Sequence, residues 1–251
     1  MLSIITPVLN GAAFIEDNIK SVQSLSIEYE HIVVDGHSTD NTLAILAKYP
    51  DIKVVMQSNT TGMYGAIHEG ITTAQGDFIC YLNCDDRLLT AGFEKLYQLA
   101  VSSDADLTYG DGVFFYAASQ QYKYIAAKPC AAYWLRHGEL PFCQPSSIFK
   151  KGAYEKAGGL RYETYKIIGD FDLFRRITAL PNVRVKRLNV LATVFLKHGA
   201  SLGDLNTERY LQEKQTIMAL TKTSSGIRWA FRLVNFVANQ FWGNMNRKAI
   251  S

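Results

Sequence analysis

Nine residues, FICYLNCDD from Phe78 to Asp86, constrain this chain more tightly than any other stretch. Phe78 to Leu82 reads as a buried strand, and an apolar interior cannot hold charge. Asp85 and Asp86 must therefore reach solvent, a cation or a partner just beyond the strand's carboxyl end. Two such carboxylates suit a hard metal ion beside a phosphate. They equally suit the capping of a helix that starts near Thr90.

The flanking sequence sets the fold class. Leu2 to Thr6 predicts a first strand, ended by Pro7 and the Asn10-Gly11 turn. A helix follows from Phe14 to Leu25, with Phe14, Ile15, Ile19, Val22 and Leu25 near one face. EHIVVD, from Glu30 to Asp35, predicts a second strand closing on Gly36-His37-Ser38-Thr39-Asp40, where Ser38 or Asp40 can cap a helix reaching Tyr49. Ile52 to Met56 predicts a third strand and Gly62 to Ala74 a helix, and Gly76-Asp77 turns into the fourth strand. Strands alternating with short helices predict an α/β fold with a mostly parallel central sheet flanked by helices. Ligands of such sheets gather beyond the carboxyl ends of the strands. Here those ends offer Thr6, Pro7 and Asn10, then Asp35, then Asn83, Asp85 and Asp86.

The second half changes character. DLTYGDGVFFYAASQQYKYIAA, from about Ala105 to Ala126, alternates like a hairpin or meander. Pro141 to Ser147 is a polar loop before a short strand, Ile148 to Lys150, and Gly158-Gly159 stops a helix over Ala153 to Ala157. A further helix starts around Asp170, whose carboxylate either complements the helix dipole or does chemistry. Asp172 is expected to face Arg175 or Arg176. Val183 to Leu196 is rich in strand formers, Lys197-His198-Gly199 ends it, and a helix from Asn206 to Leu220 follows. From Gly226 to Lys248, Trp229, Phe231, Phe236, Phe241 and Trp242 mingle with Arg228, Arg232, Arg247 and Lys248. That mixture predicts a helix lying on a membrane surface, or a terminal helix docked on its own domain or on a twin subunit as a homodimer.

Composition removes several classes. The 251 residues, 48% hydrophobic, suffice for one large domain or one with an appendage. A net charge of +3 with scattered Lys and Arg predicts no nucleic-acid partner. Four cysteines without a C-x-x-C pair predict no structural zinc and reduced thiols in a cytoplasmic protein. The opening MLSIITPVLNG has no basic leader, and no stretch reaches the roughly 18 apolar residues that span a bilayer. The expected location is the cytoplasm, with residues 226–248 peripheral on the inner face of the cytoplasmic membrane. No G-x-G-x-x-G follows the first strand and no G-x-x-x-x-G-K-[ST] occurs, which argues against a dinucleotide enzyme and a P-loop NTPase.

With these motifs placed, SIITPVLNGAAFIEDNIKSVQSLSIEYEHIVVDGHSTDNT and GMYGAIHEGITTAQGDFICYLNCDD resemble family 2 glycosyltransferases. These are inverting enzymes of the GT-A (Rossmann-like) fold using nucleotide diphosphate sugar donors, and the likeness is strongest to those of bacterial exopolysaccharide and lipopolysaccharide assembly. The resemblance implies a GT-A domain over residues 1–205, with a nucleotide-sugar-binding half (1–104) and an acceptor-side half (105–205), then a C-terminal helical segment (206–251). It implies that Thr6, Pro7, Asn10, Gly62, Asn83 and Asp86 line the nucleotide-sugar pocket and that Asp35 binds the base or ribose. Asp85 is the implied metal ligand for Mg2+ or Mn2+, with His198 a further ligand or phosphate contact, and Asp170 the implied catalytic base. The implied acceptor is a saccharide or lipid-linked saccharide. Three positions depart from the family pattern: Asn83 replaces the first Asp of Asp-x-Asp, Gly65 stands where related sequences carry Asp, and Cys143 where many carry His. Two other classes stay in view. A sugar nucleotidyltransferase would carry a Gly-rich, basic loop where Val8-Leu9-Asn10-Gly11-Ala12 stands, and a non-catalytic nucleotide-sugar-binding protein would tolerate Asn83.

Overall fold

The computed structural model describes residues 1–199 and 206–219. Four strands, β1 (Leu2–Val8), β2 (Tyr29–Asp35), β3 (Lys53–Met56) and β4 (Phe78–Tyr81), lie parallel in the order β3-β2-β1-β4. β4 is buried on both faces: Ile79 and Tyr81 join one apolar layer, Phe78, Cys80 and Leu82 the other. A strand enclosed in this way has no room for charge until it ends. Helices α1 (Ile15–Gln23), α2 (Thr42–Leu46) and α4 (Thr90–Ser102) cover one side of the sheet, and α3 (Gly62–Thr73) covers the other.

Beyond β4 the sheet continues with changed polarity. β8 (Ser147–Lys150) runs antiparallel to β4, and β6 (Leu107–Tyr116) antiparallel to β8. β7 (Gln121–Ile125) closes the expected hairpin on β6, while β9 (Val185–Lys197) runs parallel to β6. A two-residue strand, β5 (Arg87–Leu88), pairs antiparallel with β9 at the far edge. The parallel part is thus the first half, and the second half makes the nine-stranded sheet mixed. Helices α5 (Ala131–Arg136), α6 (Lys151–Lys156), α7 (Gly169–Ile177) and α8 (Thr207–Ala219) pack on the α3 side. Ile217 of α8 is fully buried in the same cluster as Ile5, Tyr81 and Phe174, so this part of the C-terminal segment shares the main core.

The helix-capping reading of Asp85 and Asp86 does not hold. β5 intervenes, α4 begins after Leu89, and no side chain caps it. Ser38 does not cap α2 either, whose N-cap residue is Asn41, and Asp40 bonds the first helical N–H while also reaching the β1 loop. Ser38 Oγ accepts the Asn10 N–H at 2.8 Å, and Asp40 accepts the N–H groups of both Ala12 and Thr42 at 3.0 Å. Asp172 pairs as expected, fully buried with its carboxylate 2.8 Å from Arg176 Nε. All four cysteines are free thiols. Among the described residues no helix is long and apolar enough to cross a membrane, and residues 226–248 lie outside the described residues.

Candidate active site

After β1 the chain builds β2 and β3 to one side, then returns to lay β4 on the other. Sheets of this kind bind ligands in a crevice at such a reversal, here beyond the carboxyl ends of β1 and β4. Asn10 turns there with φ 53, a left-handed conformation that Asn tolerates better than most residues. Its Oδ1 accepts the N–H groups of Thr39 at 2.8 Å and Asp40 at 3.3 Å, stitching the β1 loop to the β2 loop. Asp35 ends β2 fully buried; Oδ1 accepts the Ser38 N–H at 2.7 Å, and Oδ2 is buried with no partner. An unmet buried carboxylate oxygen is costly, about 1–3 kcal/mol. Gly62, exposed at the start of α3 with φ 73, gives its carbonyl to Gln57 Nε2 at 3.1 Å.

The turn after β4 is held by a residue the sequence reading passed over. Asn18, fully buried on the apolar face of α1, spends both amide hydrogens on the carbonyls of Asn83 (2.9 Å) and Asp86 (3.0 Å). A polar residue in an otherwise apolar helical stripe was the available signal. Asn83 Oδ1 is buried without a partner. Asp85 is half-buried, and its Oδ2 lies 3.0 Å from His198 Nε2. The meeting follows from pairing: Arg87 of β5 opposes Val194 of β9, so the residues just before β5 face those just after β9. The Phe14 ring lies against His198, tilted by 32°, with ring centroids 4.9 Å apart.

Two expected pocket residues act through the scaffold instead. Thr6 is fully enclosed, its hydroxyl 2.9 Å from His31 Nε2 and 3.4 Å from Asn18 Oδ1. Burial pushes His31 down to about 3, so it stays neutral and leaves Thr6 no charge to relay. Asp86 is also fully buried and accepts the Leu196 N–H at 3.1 Å, a contact that ties β9 to the turn. Burial, and then the neighbouring Asp85 charge, raise its carboxyl well above the usual aspartate range. Pro7 is buried within β1 and offers the crevice only its backbone course.

Asp170 lies in the first turn of α7 and keeps a part-exposed surface. Its Oδ1 accepts the Phe171 N–H at 2.8 Å and lies 3.0 Å from the Tyr64 hydroxyl, which is 2.9 Å from the Ile167 carbonyl. One hydroxyl proton therefore serves two acceptors. Burial pushes the Asp170 carboxyl up, against the pull of the Phe171 N–H and the Tyr64 hydroxyl, so its proton affinity exceeds that of an ordinary aspartate. Burial raises Tyr64 and keeps it a proton donor. Asp170 is tied to the wall that ends β4 through Tyr64, which is buried in the same cluster as Tyr81. Gln144 fastens this wall, donating from Nε2 to the Tyr81 carbonyl at 2.9 Å. Gly65 also has a local reason. A Cβ there would lie 2.6 Å from Thr60 Oγ1 and 2.8 Å from Thr60 Cβ, leaving no room for an Asp.

The donor set fits a cation only in part. Asp85 and His198 are adjacent, but among the described residues no group of three or more His, Cys, Asp or Glu could hold a metal ion. Phosphate oxygens of a bound substrate would have to complete the coordination.

These features define an α/β group-transfer enzyme, and solved structures identify the architecture as the GT-A fold. Staphylococcus aureus TarS 1-349 in complex with UDP matches with TM-score 0.65 at 17% identity, over 90% of this chain and 68% of that chain. The same protein in complex with UDP-GlcNAc matches with TM-score 0.60 at 15% identity, over 90% and 69%. The chain belongs to glycosyl transferase family 2, whose family model matches residues 3–175. A PGL/p-HBAD biosynthesis glycosyltransferase of Mycobacterium tuberculosis is 24% identical over 221 residues, 84% of this chain and 83% of the relative. The putative teichuronic acid biosynthesis glycosyltransferase TuaG of Bacillus subtilis is 35% identical over 100 residues, 38% of this chain and 40% of the relative.

Proposed function

We propose that this glycosyltransferase moves a sugar from a nucleoside diphosphate donor to a hydroxyl of a saccharide or lipid-linked saccharide, with inversion at the anomeric carbon. The observation that carries the reading is the Asp170 carboxylate, of raised proton affinity and held by the Tyr64 hydroxyl of α3, and beside it stands a buried Asp35 oxygen without a donor at the end of β2. The first can take a proton and the second can bind a nucleotide. The UDP and UDP-GlcNAc complexes of TarS support the donor class, and relatives named for PGL/p-HBAD and teichuronic acid biosynthesis support a saccharide-building role.

Asp35 Oδ2 accepts an N–H or O–H of the base or ribose, beside a pocket wall shaped by Asn10 and Gly62. The diphosphate extends towards Asn83 and Asp85, where Asn83 Oδ1 has its own unmet acceptor. Mg2+ or Mn2+, held by Asp85 with His198, would supply positive charge to the departing diphosphate. Asp170 takes the acceptor's hydroxyl proton as that oxygen attacks the anomeric carbon from the opposite face. The new carbon–oxygen bond forms as the bond to the diphosphate breaks, so configuration inverts and the proton rests on Asp170. The Tyr64 hydroxyl keeps the carboxylate aimed while it is ionised.

A panel of nucleotide sugars with Mn2+ tests the proposal, followed as release of free nucleoside diphosphate and repeated with a chelator. Release from one donor, lost on chelation, is expected. Pyrophosphate would indicate nucleotidyl transfer, and binding without product from any donor would indicate a non-catalytic binder.

A further inference from the structure

Asp170 is delivered into α7 by Lys166–Ile168, and that segment is gripped from outside the family region, which ends at residue 175. Glu213 of α8 is only 7% exposed, and its carboxylate accepts three successive backbone N–H groups, from Lys166 (2.9 Å), Ile167 (3.0 Å) and Ile168 (3.2 Å). Arg209, one turn earlier on α8, adds Nε at 3.0 Å. Amides at the entrance of a helix have no intrahelical acceptor, and no side chain of the N-cap residue Ile168 supplies one. Burial raises the Glu213 carboxyl, but the three N–H groups and Arg209 outweigh it and hold the group below the usual glutamate range. A fixed negative charge at this point also favours the positive end of α7. The Ile167 carbonyl meets the Tyr64 hydroxyl, so residue 167 is held by Glu213 on its N–H side and by Tyr64 on its C=O side. Asp170, which the same hydroxyl reaches, lies three residues further on.

We propose that Glu213 is a positioning residue for the transfer reaction: by fixing Lys166–Ile168 from α8, it sets the meeting of Tyr64 with Asp170 without itself touching substrate. The inference rests on the reading of Asp170 as the base. It makes a helix beyond the family region part of the catalytic apparatus. A displacement of about 1 Å in a reacting group can cost about 100-fold in rate, so a loosened anchor should appear in turnover before it appears in binding.

The test uses the full chain, the donor selected by the panel, and three variants: Glu213→Ala, Glu213→Gln and Asp170→Asn. Turnover is measured across pH, with donor KM and calorimetric affinity for UDP alongside. Glu213→Ala should lower kcat by about 10- to 100-fold, move the acid limb of the kcat profile, and leave donor KM and UDP affinity unchanged. Glu213→Gln, which keeps an acceptor oxygen, should recover part of the loss. Wild-type kcat and an unmoved acid limb in Glu213→Ala would overturn the proposal, as would a joint loss of kcat, KM and UDP affinity. If Asp170→Asn is inactive while Glu213→Ala is wild type, only the positioning role falls. If Asp170→Asn itself turns over normally, the base reading falls and this inference with it.

Discussion

At the scale of single residues, the site is built from groups held in states that folding alone does not favour. Asp170 carries a raised pKa in the folded protein, because burial disfavours its charged form. A raised carboxyl is a stability penalty that is present above the folded-state pKa and absent below the unfolded one. Asp170→Asn should therefore be at least as stable as the native chain at neutral pH, by thermal unfolding, and the difference should vanish as pH falls through the usual aspartate range. A native chain more stable than the variant at neutral pH would refute this sign. Asp35 presents the complementary case, a buried acceptor without a donor. Asp35→Asn keeps an oxygen for the Ser38 N–H but turns an amide towards the ligand. If Asp35 binds the nucleotide as proposed, losing a charge-assisted bond of about 1.5–3 kcal/mol should weaken nucleotide affinity by tenfold or more, read by calorimetry with the nucleoside diphosphate of the selected donor.

At the scale of elements, the pairing of β5 with β9 brings Asp85 to His198, and Asp86 locks it through the Leu196 N–H. Asp86→Ala would leave that buried amide unpaired and should cost about 1–3 kcal/mol in denaturant unfolding, with weaker Mn2+ dependence as His198 loosens. α4 crosses β9 so closely that a Cβ on Gly92 would sit 1.9 Å from the Leu191 carbonyl oxygen. Gly92→Ala should therefore destabilise by at least about 1–3 kcal/mol. The same elements mark what could be read beforehand. β1 to β4 were legible because continuous apolar runs ending in polar turns admit few other structures. β5 was not, since two residues carry no periodicity and their pairing depends on a partner strand a hundred residues away. α5 was missed as well; it follows Cys130, whose left-handed φ of 59 is not one the sequence announces. Asp35, Asp85 and Asp170 were legible as strand-end and helix-start carboxylates. Asn18, Tyr64 and Glu213 were not, because each serves the site only through contacts distant in sequence.

At the scale of the whole molecule, a parallel first half and a mixed second half share one sheet, with strand order reversing between β1 and β4. α8 closes the core behind α7, so truncation before residue 207 should cost transfer as well as stability. Residues 226–248 are a separate matter: their aromatic and basic sequence leads us to expect that deleting residue 226 onward abolishes sedimentation with anionic vesicles and spares donor hydrolysis. Unchanged sedimentation would remove the membrane proposal alone. The central claim, sugar transfer with Asp170 as base, is tested most directly by comparing native chain and Asp170→Asn on the selected donor, with affinity for that donor's nucleoside diphosphate measured on both. General-base catalysis is worth about 10² to 10⁴ in rate, so the account predicts a loss of that order in turnover with nucleoside diphosphate affinity unchanged. Wild-type turnover by the variant would contradict it.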